Sequence, residues 1–107
     1  MAQMWRAVAG RSAAEAKAEA EAMVFNQMVL ALQARFGGDV PHTQIMLEMQ
    51  LLADGISGDG RFPHDTRWRP HASVTGYWPG DRIALSEEVF SRLSEVFLTL
   101  LARLAEA

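Results

Sequence analysis

The sequence predicts a mainly α-helical chain: an αα-hairpin over about residues 12–56, an irregular loop, a short β-hairpin over about 71–85, and a C-terminal amphipathic helix over about 87–105. Three observations predict it. Apolar residues recur at steps of three and four in three separate stretches, the spacing that gathers side chains on one face of a helix. Glycines and prolines interrupt those stretches after Phe36 and after Ala53. Between the second and third stretch, Ala72, Val74 and Gly76 alternate with Ser73, Thr75 and Tyr77, the period of a strand.

The first helix is expected to start at Ser12, because Ser12 and Glu15 have the spacing of a reciprocal capping box. Residues 1–11 are then a frayed lead-in to a single domain spanning 1–107. Ala14, Ala18, Ala22, Phe25, Val29, Leu32 and Phe36 form its stripe, small at the start and large at the end. Gly37-Gly38 stops it, since glycine takes the left-handed conformation without steric penalty. Asp39 is the expected cap of the second helix, with Pro41 in its first turn. Ile45, Met49, Leu52 and Ile56 carry that helix, and Gly55 and Gly58 are expected to close it. The short connection turns the two helices antiparallel.

Residues 57–70 have no periodicity, two glycines and two prolines, and read as a loop. Pro79-Gly80 suits the centre of a type II turn, returning Arg82–Leu85 as a second strand. Ser86 caps the last helix, and Glu87 and Glu88 sit favourably at its positive end. Phe90, Leu93, Phe97, Leu100 and Leu104 step by three and four like a coiled-coil seam, widened by Val89, Val96 and Leu101. So broad an apolar surface on short helices predicts self-association through that seam, with the hairpin as the other candidate cover.

Composition narrows the function classes. The chain has no cysteine, which excludes disulfides, thiolate metal sites and cysteine nucleophiles. No window approaches the roughly 20 apolar residues of a membrane span, and a cytoplasmic location is expected. The net charge of −3 is mild, but it is unevenly spread. Residues 61–82 carry +2, while 37–60 carry −4 and 83–107 carry −2.

The basic island holds Arg61, Arg67, Trp68, Arg69 and Arg82, a set that can bridge phosphates and stack an aromatic on a base. The competing reading plugs Trp68 into the core and pairs the arginines with Glu48, Asp54 or Glu87. His64 and His71 share the loop with Asp59 and Asp65, but the spacing matches no metal signature. Ser73 can be written with His64 or His71 and Asp65 as a triad, yet no nucleophile elbow or oxyanion motif adjoins it. No phosphate-binding or dinucleotide fingerprint is present. Met23, Met28, Met46 and Met49 suit helix–helix contacts, whether in a core or on an adaptable surface.

The expectation is therefore a non-enzymatic oligomeric interaction protein, an adaptor or regulator without cofactor or metal. Its partners are a second copy and another protein, with Phe90, Leu93, Phe97, Leu100 and Leu104 as the interface. The alternative is an oligomeric nucleic-acid binder, such as a regulator or DNA-handling adaptor of a phage or mobile element. It would use Arg61, Arg67, Trp68, Arg69 and Arg82 on DNA.

Overall fold

The computed structural model describes the backbone of residues 2–38 and 43–106, and side chains at 13–38 and 43–106. Along the described chain lie α1 (Ala2–Phe36), α2 (Gln44–Ser57) and α3 (Glu87–Glu106), with a 3-10 turn at Pro70–Ala72. The protein is mainly helical, and among the described residues no helix is long and apolar enough to cross a membrane.

α2 is the centre of the packing. Its buried residues run almost unbroken from Met46 to Ala53, so they point in all directions around the helix axis. A helix apolar on every face must be covered on every face. α1 supplies Val29 and α3 supplies Phe90, Leu93 and Phe97 to one core with Met49 and Leu52. Phe25 of α1 stacks on Phe90 of α3, ring centroids 5.2 Å apart. The remaining cover comes from the connector, residues 58–86, through Phe62, Trp68, Ile83 and Leu85.

One helix boundary differs from expectation. α1 begins at Ala2, so Ser12 lies inside a helix rather than at its cap. A capping box is a local preference, and the preceding run of Ala, Gln, Met and Arg favours helix strongly enough to pass through it. At 35 residues α1 spans about 52 Å, and the eight residues Ala13–Ala20 are all exposed. α2 runs on through Gly55 to Ser57, where the Gly58 amide donates to the Asp54 carbonyl. The expected Asp39 cap and Pro41 first turn lie outside the described residues. The observed cap of α2 is Thr43, whose Oγ1 accepts from the Met46 amide at 3.3 Å.

Gly55 has a reason to be glycine other than stopping the helix. A Cβ there would stand 2.3 Å from the Arg61 carbonyl oxygen and 2.6 Å from Ile83 Cδ1. The missing side chain lets the connector lie directly on α2, and the Gly60 amide donates to the Gly55 carbonyl at 2.8 Å.

The β-hairpin expected at 71–85 does not form; these residues contain no strand. Arg82 bridges antiparallel to Arg61 instead of to the 72–77 segment. Around that bridge the Phe62 amide donates to Asp81, Ile83 to Gly60 and Gly80 to Phe62, each at 2.8 Å. The 73–75 segment has another acceptor to satisfy its amides, the carboxylate of Glu48. The turn itself is present: Gly80 has φ +93, and the Asp81 amide donates to the Trp78 carbonyl at 3.0 Å. Ser86 caps α3, its Oγ accepting from Val89 at 3.3 Å.

Candidate interaction surface

A connector lying on a core without a β-ladder must find other partners for its backbone N–H and C=O groups. Three side chains from the helices supply them. Asn26 of α1 acts like a neighbouring peptide: its Oδ1 accepts from the Leu85 amide at 3.2 Å and its Nδ2 donates to the Ile83 carbonyl at 3.1 Å. Gln44 of α2 repeats the device, accepting from the Arg69 amide at 2.9 Å and donating to the Arg67 carbonyl at 3.0 Å.

Glu48 does more. It is 0 % exposed, the one polar or charged side chain fully inside the described core. Its Oε1 accepts from the Val74 amide at 2.9 Å. Its Oε2 accepts from Ser73 Oγ at 2.8 Å, the Thr75 amide at 3.1 Å and Thr75 Oγ1 at 2.6 Å. Ser73 Oγ in turn accepts from the Gly76 amide at 2.8 Å. Four neutral donors thus converge on one buried carboxylate, which folds the 73–76 segment around itself.

This framework decides where the arginines stand. Arg67 and Arg69 are held at the N-terminal end of α2 by Gln44, whereas Arg61 lies over Gly55 near its C-terminal end. Eleven helical steps separate those anchors, about 16 Å. The arginines therefore form two groups. Arg61 donates from Nη1 to the Gly80 carbonyl at 2.9 Å and bridges Arg82. Arg82 shares a recess with Glu15 and Glu19 of α1, so its surroundings are partly acidic.

Arg67 grips Asp65 with two parallel bonds, Nε to Oδ1 at 3.0 Å and Nη2 to Oδ2 at 2.8 Å. This is the only ion pair among the described residues; no arginine pairs with Glu48, Asp54 or Glu87. Arg69 is exposed. Trp68 is not available beside them: it is 5 % exposed and its ring lies 5.4 Å from Phe62. Among the described side chains the tryptophan on the surface is Trp78, 62 % exposed on the turn that Asp81 closes by accepting from the Trp78 amide at 2.9 Å.

The Asp65–Arg67 pair has a measurable signature. The Arg67 guanidinium and, second, the Arg67 amide hold the Asp65 carboxyl at about 2 instead of 3.8. A depressed carboxyl pKa favours the folded state above the ordinary value, and that contribution fades as pH falls through about 2. Arg67→Ala removes the larger cause and leaves the amide bond. The Asp65 pKa read by NMR titration is then expected to rise most of the way toward 3.8. A pKa that stays near 2 would mean the guanidinium does not matter.

The candidate catalytic groups are engaged elsewhere. Ser73 donates to Glu48 and not to a histidine, and Asp65 is occupied by Arg67. Among the described residues no three His, Asp or Glu side chains gather as a metal-binding group. Tyr77, which the sequence did not single out, accepts from the Ala84 amide at 3.0 Å, and burial pushes its phenol above the usual value.

The apolar seam of the last helix is used inside the chain. Phe90, Leu93 and Phe97 belong to the core and Leu100 packs against it; Leu104 alone of the five is open, at 53 % exposed. These three are engaged within the chain's own core, and Phe90, stacked on Phe25 of α1, also lines the groove between α1 and α3. Apolar surface is left elsewhere. Met46 and Met49 are buried, but Val24 and Met28 of α1 and Leu98 of α3 are exposed. Between the helices runs a groove of 290 Å³ lined by Met28, Ala31, Leu32, Phe90, Ser94 and Leu98. Comparison of the chain with protein-family models, with curated proteins and with solved structures finds no match.

Proposed function

We propose that the chain is a non-enzymatic, self-associating helical protein that acts as an adaptor or regulator by presenting helix faces to other chains. In this reading α1 and α2 are an antiparallel hairpin whose outer side, with α3, meets the partner. A cytoplasmic location belongs to the same reading. The observation that carries the reading is the exposed apolar rim of the α1–α3 groove, formed by Met28 and Leu98. Large apolar side chains around a groove are unfavourable in water and mark surfaces that become covered.

Sedimentation of the purified protein over a range of concentrations tests it. The expected result is a mass that climbs above the 11.8 kDa of one chain as concentration rises. A constant 11.8 kDa at every concentration overturns self-association.

A second reading, binding to nucleic acid, is supported by one feature, the exposed Trp78 on a turn to which Arg61 is bonded and Arg82 is adjacent. There Trp78 would supply the stacking surface in place of Trp68, and each arginine would answer for part of the salt dependence. Fluorescence anisotropy with labelled random-sequence duplex and single-stranded DNA, at low and moderate salt, distinguishes the readings. Salt-sensitive micromolar binding that is weakened by Trp78→Ala and Arg61→Ala supports this one; no binding at low salt ends it.

A further inference from the structure

We propose that a second copy of the chain docks antiparallel along α1, on a two-fold axis passing beside Met28, and that Glu21 and Arg35 set its register. The inference rests on the self-association reading and names its interface. Lys17, Glu21, Val24, Met28, Ala31 and Arg35 follow one another at steps of four and three, so they form a single stripe along the helix. The stripe lies about 100° around α1 from the core-facing residues Phe25, Val29 and Leu32. All of it is exposed except Glu21, which is half-buried, and it borders the groove at Met28 and Ala31.

The pattern is complementary to itself in one direction only. With two copies antiparallel about Met28, Glu21 stands opposite Arg35 of the partner subunit, and symmetry makes that pair twice. Met28 meets its own counterpart, and Val24 is brought over Ala31 and Leu32, two of the residues that line the groove. Ala31 is small enough to let the backbones approach. A parallel, in-register pairing would instead set Glu21 against Glu21 and Arg35 against Arg35. Within the chain neither residue is in an ion pair among the described residues, so both charges are free to pair across the axis.

The size of the face sets the strength. About Met28 the two helices overlap over residues 20–36, about 24 Å, and a contact one helix wide along that length buries on the order of 500 Å² per copy. That is below the roughly 800 Å² per partner of a standard stable interface. A face this small fits a weak, reversible dimer, and about micromolar concentrations are where its association is sought.

The test is sedimentation equilibrium of the full chain from about 5 to 200 µM, within that micromolar range. Far-UV circular dichroism on each variant checks that these surface substitutions leave the helices intact. Met28→Glu is expected to leave a monomer throughout. Glu21→Arg and Arg35→Glu alone are each expected to weaken the dimer about tenfold or more. The double variant, which restores opposite charges in reversed order, should return to within about threefold of the parent.

A parent chain that associates with Met28→Glu making no difference overturns this face while leaving self-association intact. Loss on Met28→Glu without rescue by the double charge swap overturns the antiparallel register. A parent that remains monomeric to the highest concentration overturns both the interface and the reading beneath it.

Discussion

Replacing Glu48 with alanine is expected to remove about 4 kcal/mol of folding stability, the largest effect of any single substitution considered. Ser73 Oγ, Thr75 Oγ1 and the Val74 and Thr75 amides would lose their acceptor together. Each buried donor left unpaired costs about 1–3 kcal/mol, less whatever water can enter to offset it. Many domains of this size have little more than that in total. Urea unfolding followed by far-UV circular dichroism should show the midpoint collapse, and a thermal melt should fall by roughly 20 °C. Glu48→Gln keeps the volume but offers one acceptor oxygen where two are used, so a loss of about 2 kcal/mol is expected. Amide exchange at Val74 and Thr75 should accelerate in both variants. A protein with Glu48→Ala that melts like the parent would mean the 73–76 segment is held by something else.

Gly55→Ala is the second large effect, and its sign runs against helix propensity. In an ordinary helix interior this change stabilises by about 1 kcal/mol. Here the new Cβ would meet the Arg61 carbonyl oxygen at 2.3 Å, and backbone cannot swing aside as a side chain can. Ile83 Cδ1 at 2.6 Å would also have to move, so the Gly60–Phe62 and Gly80–Ile83 segments would both lift from α2. A net destabilisation of about 2 kcal/mol is expected, within the range for overpacked cores. A higher unfolding midpoint for Gly55→Ala would show that the connector does not rest on this helix.

Which features were legible in the sequence follows from how local their causes are. Helical stripes are local, so the helix ends at Phe36 and around Ser57, and the start at Ser86-Glu87, could be read closely. The start of α1 could not, because a capping box at Ser12 says only that a helix is able to start there. The β-hairpin failed for a different reason. A strand exists only if its partner wins, and Glu48, more than twenty residues away, took the Val74 and Thr75 amides. One signal was present: a lone carboxylate flanked by the apolar run Ile45-Met46-Leu47 and Met49.

The candidate sites show the same division. Phe90, Leu93 and Phe97 were plainly apolar at helical spacing, but periodicity cannot say whether a stripe faces its own core or a neighbour. Trp68 and Trp78 each sit near an arginine and a proline. The turn residues Pro79-Gly80 beside Trp78 were the better hint of exposure, since tight turns project outward. Arginine clustering was visible too. The length of α2 that divides the cluster in space was not, because it depends on where Gln44 and Gly55 catch the connector.

The way the connector is fastened also bears on what happens when many copies crowd together. Irregular backbone lying along a core could offer a row of unpaired amides and carbonyls for another chain to zip onto. Here Asn26, Gln44 and Glu48 engage those groups at three separated points, and the single bridge at Arg61 and Arg82 is too short to serve as a template. Helix faces remain the open way for copies to meet, which favours a reversible encounter of side chains over the open-ended growth of a sheet.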